Sequence, residues 1–117
     1  MRYKVDNLKN YTKYKGWICG HFLDEGMVQK NSDLEVNVTT LKPGHTASEH
    51  FHPKSKMVIF VTEGKVKMVF DDKEHILAKN DFAYLEEGVH ESVIEVFEPT
   101  TVICIRTPSV VDNKVEV

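Results

Sequence analysis

Gly44-His45-Thr46-Ala47-Ser48-Glu49-His50-Phe51-His52, followed after four residues by Met57-Val58-Ile59-Phe60-Val61-Thr62, is the stretch on which the reading of this chain turns. Side chains alternate between faces along a β-strand, so His50 and His52 project the same way and their rings can converge on one ion or one small molecule. The second run is rich in β-branched and aromatic residues and is apolar on both faces: Met57, Ile59 and Val61 on one, Val58, Phe60 and Thr62 on the other. A barrel wall has one inner face. The second apolar face therefore calls for cover, by the N-terminal segment or by another subunit, and a homodimer is expected.

Upstream, Leu34, Val36, Val38 and Thr40 alternate with Glu35, Asn37 and Thr39, the pattern of a half-buried strand that Pro43-Gly44 ends. Earlier still, residues 16–23 form an apolar, aromatic run opened by glycine that reads as a strand covering the core, and Tyr3, Val5 and Leu8 suggest a short strand or turn. Downstream, Glu63-Gly64-Lys65 reads as a hairpin turn into a strand over 66–70, and Asp71-Asp72-Lys73 turns the chain into 74–77. Short strands follow at 82–85, 93–97 and 101–106, separated by Asn80-Asp81, Glu86-Glu87-Gly88 and Glu98-Pro99. No helical period of useful length appears. Short strands at such spacing argue for an all-β sandwich or barrel, with 110–117 as a final edge strand or a partly ordered end.

A length of 117 residues predicts one domain over 1–117, with a core barrel at roughly 33–107 and an N-terminal segment 1–32 packed on it. Apolar residues at 41% and charged residues at 28% are ordinary for a globular chain, and no apolar run reaches membrane-spanning length. The net charge of -3 and the scattered Lys and Arg argue against a nucleic-acid partner. Met1-Arg2-Tyr3-Lys4-Val5-Asp6-Asn7 lacks the apolar core of a signal peptide, which places the chain in the cytoplasm, with no membrane partner. Cys19 and Cys104 are then expected as reduced, buried thiols, and neither belongs to a Cys-x-x-Cys pair. No Ser-His-Asp order, Cys-His pair or phosphate loop stands out.

Gly44, His50, His52 and Gly64 fall on the first motif of the cupin family, which they resemble in spacing, but the family's glutamate position is Met57. Asn80-Asp81 followed by Glu86-Glu87-Gly88-Val89-His90 resembles the second motif, with Asn for Gly, Glu86 for Pro and His90 one residue early; strict counting from Gly88 puts Glu91 at the histidine position. The resemblance covers roughly 33–107 and implies a double-stranded β-helix, the jelly-roll barrel of cupins. It implies a divalent metal held by His50, His52 and His90, with Met57 where the carboxylate stands in the family. Glu91 is the alternative to His90 and restores a carboxylate, and strand parity allows only one of the two to point inward unless a bulge intervenes.

The metal implied is Zn, Fe, Mn, Ni or Cu, or none at all. A three-histidine set leaves the full +2 charge on the ion and favours an anionic further ligand. Met57 as a thioether ligand leans toward copper, but its simpler reading is core packing. Tyr84 shares parity with Phe82 and Glu86 and can offer a phenol to the pocket. Glu49 and His75 read as surface residues, His45 as an exposed turn residue, and His21 as a packing histidine; Trp17, Phe22 and Phe60 read as core or interface.

The function implied is that of a small cytoplasmic cupin that binds a small polar or anionic molecule in the barrel with a histidine-held metal, as an isomerase, dioxygenase or lyase. The rival is a non-catalytic ligand-binding or sensing cupin without metal, in which Met57 fills the space of the missing carboxylate. A third reading is a structural subunit acting through its outer apolar face. Fold alone does not choose among them.

Overall fold

The computed structural model describes residues 2–117; Met1, the first residue of the N-terminal segment read above, lies outside them. A 3-10 turn at Leu8–Tyr14, capped by the Asn7 side chain accepting from the Lys9 amide, leads into β1 (Trp17–Cys19). Then come β2 (Glu35–Leu41), β3 (Ala47–Phe51), β4 (Lys56–Phe70), β5 (Lys73–Ala78), β6 (Phe82–Leu85), β7 (Glu91–Thr107) and β8 (Val115–Glu116). Every pairing is antiparallel. β7 is the central strand, bonded to β2, β3 and β4, while β4 also carries β5 and β6. This is an all-β jelly-roll barrel. Met57, Ile59, Val61, Val66, Met68, Leu77, Leu85, Val93, Val96 and Val102 form its core.

Two of the expected turns are absent. The chain does not reverse at Glu63-Gly64-Lys65 or at Glu98-Pro99; β4 and β7 each run straight through. The residues that suggested turns instead make facing irregularities, where the β4–β7 register shifts between Val61 and Glu63 and again between Glu63 and Lys65. Such bulges bend a strand and raise its twist, so one long strand can serve both layers of the barrel. The fully buried Thr100 hydroxyl holds the corner together. It accepts from the Lys65 amide at 2.9 Å and donates to the Glu98 carbonyl at 2.7 Å. Gly64 sits at φ +99° against it, and a Cβ there would stand 2.4 Å from both the Pro99 carbonyl oxygen and Thr100 Oγ1.

β2 is turned over relative to the expectation that its apolar residues face the core. Glu35 pairs with Arg106 and Asn37 with Cys104, so the polar side of β2 looks into the barrel. Val36 and Val38 look out. They complete two cross-strand rows, Tyr84-Val58-Ile105-Val36 and Phe82-Phe60-Ile103-Val38, which form an apolar outer face on β6, β4, β7 and β2. The apolar outer side read on β4 is thus part of a four-strand band, and Phe82 at its edge is 66% exposed.

At the ends of the chain, only Trp17–Cys19 of the 16–23 run is strand. Gly20 bends the backbone at φ +124°, where a Cβ would meet Glu35 Cβ at 2.6 Å. β1 pairs with β2 and so widens the sheet. The tail is an edge strand, β8 pairing with β3 through His50–Glu116 and Phe51–Val115. Cys19 and Cys104 are free thiols, each half-buried. Among the described residues no helix is long and apolar enough to cross a membrane.

Gly64→Ala and Gly44→Ala both place a side chain at positive φ, but only Gly64 has atoms within reach of the added methyl. Gly64→Ala should therefore cost more than about 1 kcal/mol and clearly more than Gly44→Ala, read as urea midpoints at constant slope. Equal costs would show that the β4–β7 corner is not closely packed.

Candidate metal centre

The register of β3 on β7 sets His50 directly opposite Glu91, and the alternation along the chain brings His52 to the same side. His50 Nδ1 lies 2.8 Å from the Ser48 carbonyl oxygen and His52 Nδ1 lies 2.7 Å from the Asn113 carbonyl oxygen. A carbonyl only accepts, so each Nδ1 carries the proton and each Nε2 presents a lone pair. Both Nε2 atoms lie near the carboxylate of Glu91, His50 Nε2 3.6 Å from Oε1 and His52 Nε2 3.9 Å from Oε2. One donor atom from each of the three residues lies within 4.8 Å of the others.

The donor set fits a divalent ion. Metal-bound imidazoles ordinarily donate their second nitrogen to a carbonyl or carboxylate, as both do here. Glu91 is buried, and its Oε2 has no hydrogen-bond partner, an orphan that a cation would satisfy. Burial pushes its carboxyl up from 4.5 to about 7, against the pull of Arg106 and Lys114. Burial, helped by the charge of Arg106, brings His52 down from 6.5 to about 4, so its Nε2 is free of a proton at neutral pH.

Arg106, which sequence reading missed, lies next to this cluster. Its Nη1 donates to His52 Nε2 at 2.9 Å and stands 3.6 Å from Met57 Sδ, its Nε donates to Glu35 Oε2 at 2.7 Å, and its Cζ lies 5.2 Å from the centre of the Trp17 ring. Glu35 is itself buried, and its Oε1 finds only His21 Nδ1, at 3.6 Å. The His21 ring nitrogen is bonded to Ser109 Oγ at 2.7 Å. The available signal was parity. Arg106 follows Val102 and Cys104 on the inward side of β7, and Glu35 faces it across the pair.

A pocket of about 390 Å³ opens beside His50, His52 and Arg106, walled by Trp17, His21 and Glu35 on one side and by 110–114 on the other. The tail is pinned by Asn113, whose amide donates to Ser55 Oγ and accepts from the Lys54 amide, each at 2.7 Å. A larger hollow of about 600 Å³ is lined by residues of β5 and β6, among them His75, Leu77, Phe82 and Tyr84, and touches neither His50 nor His52.

Of the residues singled out from sequence, His50, His52 and Glu91 come together and His90 does not. Parity decides between the neighbours: Glu91 points in, so His90 points out, where its ring stacks on Phe51 at 4.7 Å and its Nδ1 meets Glu49 Oε2 at 2.7 Å. Tyr84 also faces outward, opposite Val58 and 51% exposed, because Ala83 and Leu85 take the inner side of β6. Met57 lies in the core at the foot of Arg106. His21, read as a packing histidine, lines the pocket.

An all-β jelly-roll barrel with two histidines and a carboxylate converging on its inner wall is the architecture of a cupin. The chain belongs to the cupin family: residues 37–106 match the family described as Cupin domain. Among solved structures it is similar to KdgF from Halomonas sp., with a TM-score of 0.64 and 16% identity, covering 70% of this chain and 74% of that one. It is also similar to the DMSP lyase DddQ from Ruegeria pomeroyi, at TM-score 0.69 and 16% identity over 80% of this chain and 48% of the other. A sugar phosphate isomerase of the cupin superfamily from Silicibacter pomeroyi is 30% identical, at TM-score 0.58, over 67% of this chain and 52% of its own. No curated protein matches the chain. The chain thus spans about half the length of the lyase and of the isomerase.

The shifts at Glu91 and His52 have opposite consequences for stability. Between pH 4.5 and about 7 the folded chain keeps a proton on Glu91 that the unfolded chain has lost, so stability falls as pH rises. Between about 4 and 6.5 the unfolded chain holds a proton that folded His52 lacks, so stability rises with pH. The two nearly cancel where the windows overlap. Glu91→Gln removes the first, so in metal-free protein its stability should climb with pH up to 6.5 and exceed wild type above pH 7 by on the order of 3 kcal/mol. Denaturant midpoints across pH 4 to 8 check this, and parallel profiles for the two proteins would show that Glu91 is not desolvated.

Proposed function

We propose that this cupin binds one divalent transition metal on His50, His52 and Glu91, and uses it to bind and activate a small polar or anionic molecule entering between Trp17 and the 110–114 segment. The observation that carries the reading is the pair of Nε2 atoms, kept free of protons by Nδ1 bonds to carbonyls and lying 3.6 and 3.9 Å from a buried carboxylate with an orphan oxygen. Two histidines and one carboxylate make a set that suits ferrous iron with open positions and is also acceptable to zinc and manganese. Relative to the three-histidine set, Glu91 removes one unit of charge from the site. A bound ion supplies a Lewis acid that polarises a substrate oxygen or acidifies bound water. The carbonyls of Ser48 and Asn113 hold the imidazoles in the ligating tautomer, and the apolar wall of Met57, Leu85 and Val93 keeps the carboxylate dry. An isomerase, dioxygenase or lyase reaction in the cytoplasm fits this equipment, and the similar structures include proteins named as a lyase and an isomerase.

Metal content decides. Protein prepared without an affinity tag should hold close to one equivalent of transition metal. His52→Ala and Glu91→Ala should each weaken binding by more than about a hundredfold, beyond what loss of an outer-shell partner costs. Protein that stays metal-free and shows no thermal shift with Fe, Zn, Mn, Ni or Cu ions sinks the proposal. A second reading then takes its place, favoured by the Arg106–His52 hydrogen bond: a metal-free binding protein in which the guanidinium occupies the His52 lone pair.

The apolar outer face is read as the seat of a second copy of the chain. Its two rows place aromatic and branched side chains on four adjacent strands, and a stable interface needs about 800 Å² from each partner. Sedimentation should give a dimer for wild type and a folded monomer for Phe82→Asp combined with Ile105→Asp; a wild-type monomer at micromolar concentration refutes it.

A further inference from the structure

Arg106 is held on three sides and open on the fourth. Its Nε is committed to Glu35, its two Nη1 protons to His52 and Met57, and its Cζ lies 5.2 Å from the centre of the Trp17 ring. A guanidinium carries five N–H donors in a rigid plane, so these contacts leave the two Nη2 protons. Nη2 finds no acceptor among the described residues, and Arg106 lines the pocket of about 390 Å³. Nη2 is therefore left without a protein partner on a residue that borders this open pocket. The pocket's other ionic groups do not compete for it. Glu35 already takes Nε, Lys114 is paired with Glu116 at 3.4 Å, and Asp112 is exposed on the 110–114 segment.

We propose that the pocket selects a small carboxylic acid in its anionic form, and that Arg106 is the residue that selects it. The proposal deepens the metal-binding reading above and rests on it only for the ligand's second contact. The carboxylate accepts from the two Nη2 protons, while the rest of the molecule lies beside the histidines. Charge-assisted bonds to a guanidinium are about twice as strong as neutral ones, and the contacts to Glu35, His52 and Met57 hold Nη2 in place for them. Glu35 offsets the charge of Arg106, so the pair has no net charge to hold the two charges of a phosphate monoester, and the ligand is held by the Nη2 hydrogen bonds instead. A cavity of this size is at the small end for ligand sites, which limits the molecule to roughly a single ring or its open-chain equivalent. Trp17, Glu35 and the 110–114 segment lie outside the region that matches the family, so the selecting wall is built by this chain's own ends.

Titration calorimetry of metal-free and Zn(II)-loaded protein tests this, with benzoate and glucuronate set against their neutral counterparts benzamide and glucose, and with phenyl phosphate as the dianion. At least one acid should bind ten times or more tightly than its neutral counterpart in both forms of the protein. Arg106→Lys should cut that preference about tenfold, since it keeps the charge and loses the Nη2 donors that Glu35 and His52 hold in place. Glu35→Gln combined with Arg106→Gln, which removes both partners of the buried pair together, should abolish it while Zn(II) still binds. If the double variant does not fold, the lysine variant decides. A preference that survives these changes, wild type that ignores the charge of the probe, or phenyl phosphate binding more tightly than benzoate each overturns the proposal. Wild type that fails to take up Zn(II) sinks the metal reading alone, and the acid preference of the metal-free protein still decides for or against Arg106.

Discussion

The buried ion pair between Arg106 and Glu35 is the interaction on which the rest of the molecule depends. It joins β2 to β7 inside the barrel, fixes the guanidinium against Trp17 from the N-terminal segment, and presents Nη1 to His52. Burying two charges is expensive, and replacing both by apolar residues often stabilises a protein; removing one partner alone costs several kcal/mol, about 3 to 5. The pair is therefore weak evidence for stability and good evidence for a pocket. It explains why β2 turns its polar side inward, where Glu35 has a partner, and leaves Val36 and Val38 to the outer apolar face.

The same economy of placement runs through the metal centre. His50 on β3 and Glu91 on β7 face each other in register and His52 follows just past the end of β3, but what fixes the ring orientation of His52 is the tail: the carbonyl of Asn113 accepts its Nδ1 proton, and the Asn113 side chain ties the tail to Ser55 and Lys54. The barrel brings the donors together, and the tail sets a tautomer. Glu91 brings to the cluster the carboxyl group that the first motif lacks, while Met57 packs in the core beneath Arg106.

The bent strands β4 and β7 make this arrangement possible. Because Gly64 accepts a left-handed backbone against Thr100, the two strands bend together rather than reversing, and one continuous pair carries the core, the corner and both outer rows. Without the corner, the outer band and the inner site would belong to separate hairpins, with no shared register to align Glu91 with His50.

By itself the sequence determined the β class, the inward convergence of His50 and His52, the two-faced apolar character of β4, and the choice that parity forces between His90 and Glu91. These are properties of alternation and spacing, which are local. Only the tertiary structure decided which of the two neighbours points in, because that depends on the pairing of β7 with β3, forty residues away in the chain. Tertiary contacts also turned Glu63-Gly64-Lys65 from an expected hairpin into a bulge, since a glycine at positive φ serves either, and the packing of Thr100 selects one. They placed Tyr84 outside, because its burial depends on which side of β6 Leu85 takes. Glu35 and Arg106 were invisible as a pair for the same reason: a charged residue in a strand reads as surface until the opposite strand supplies its counter-charge.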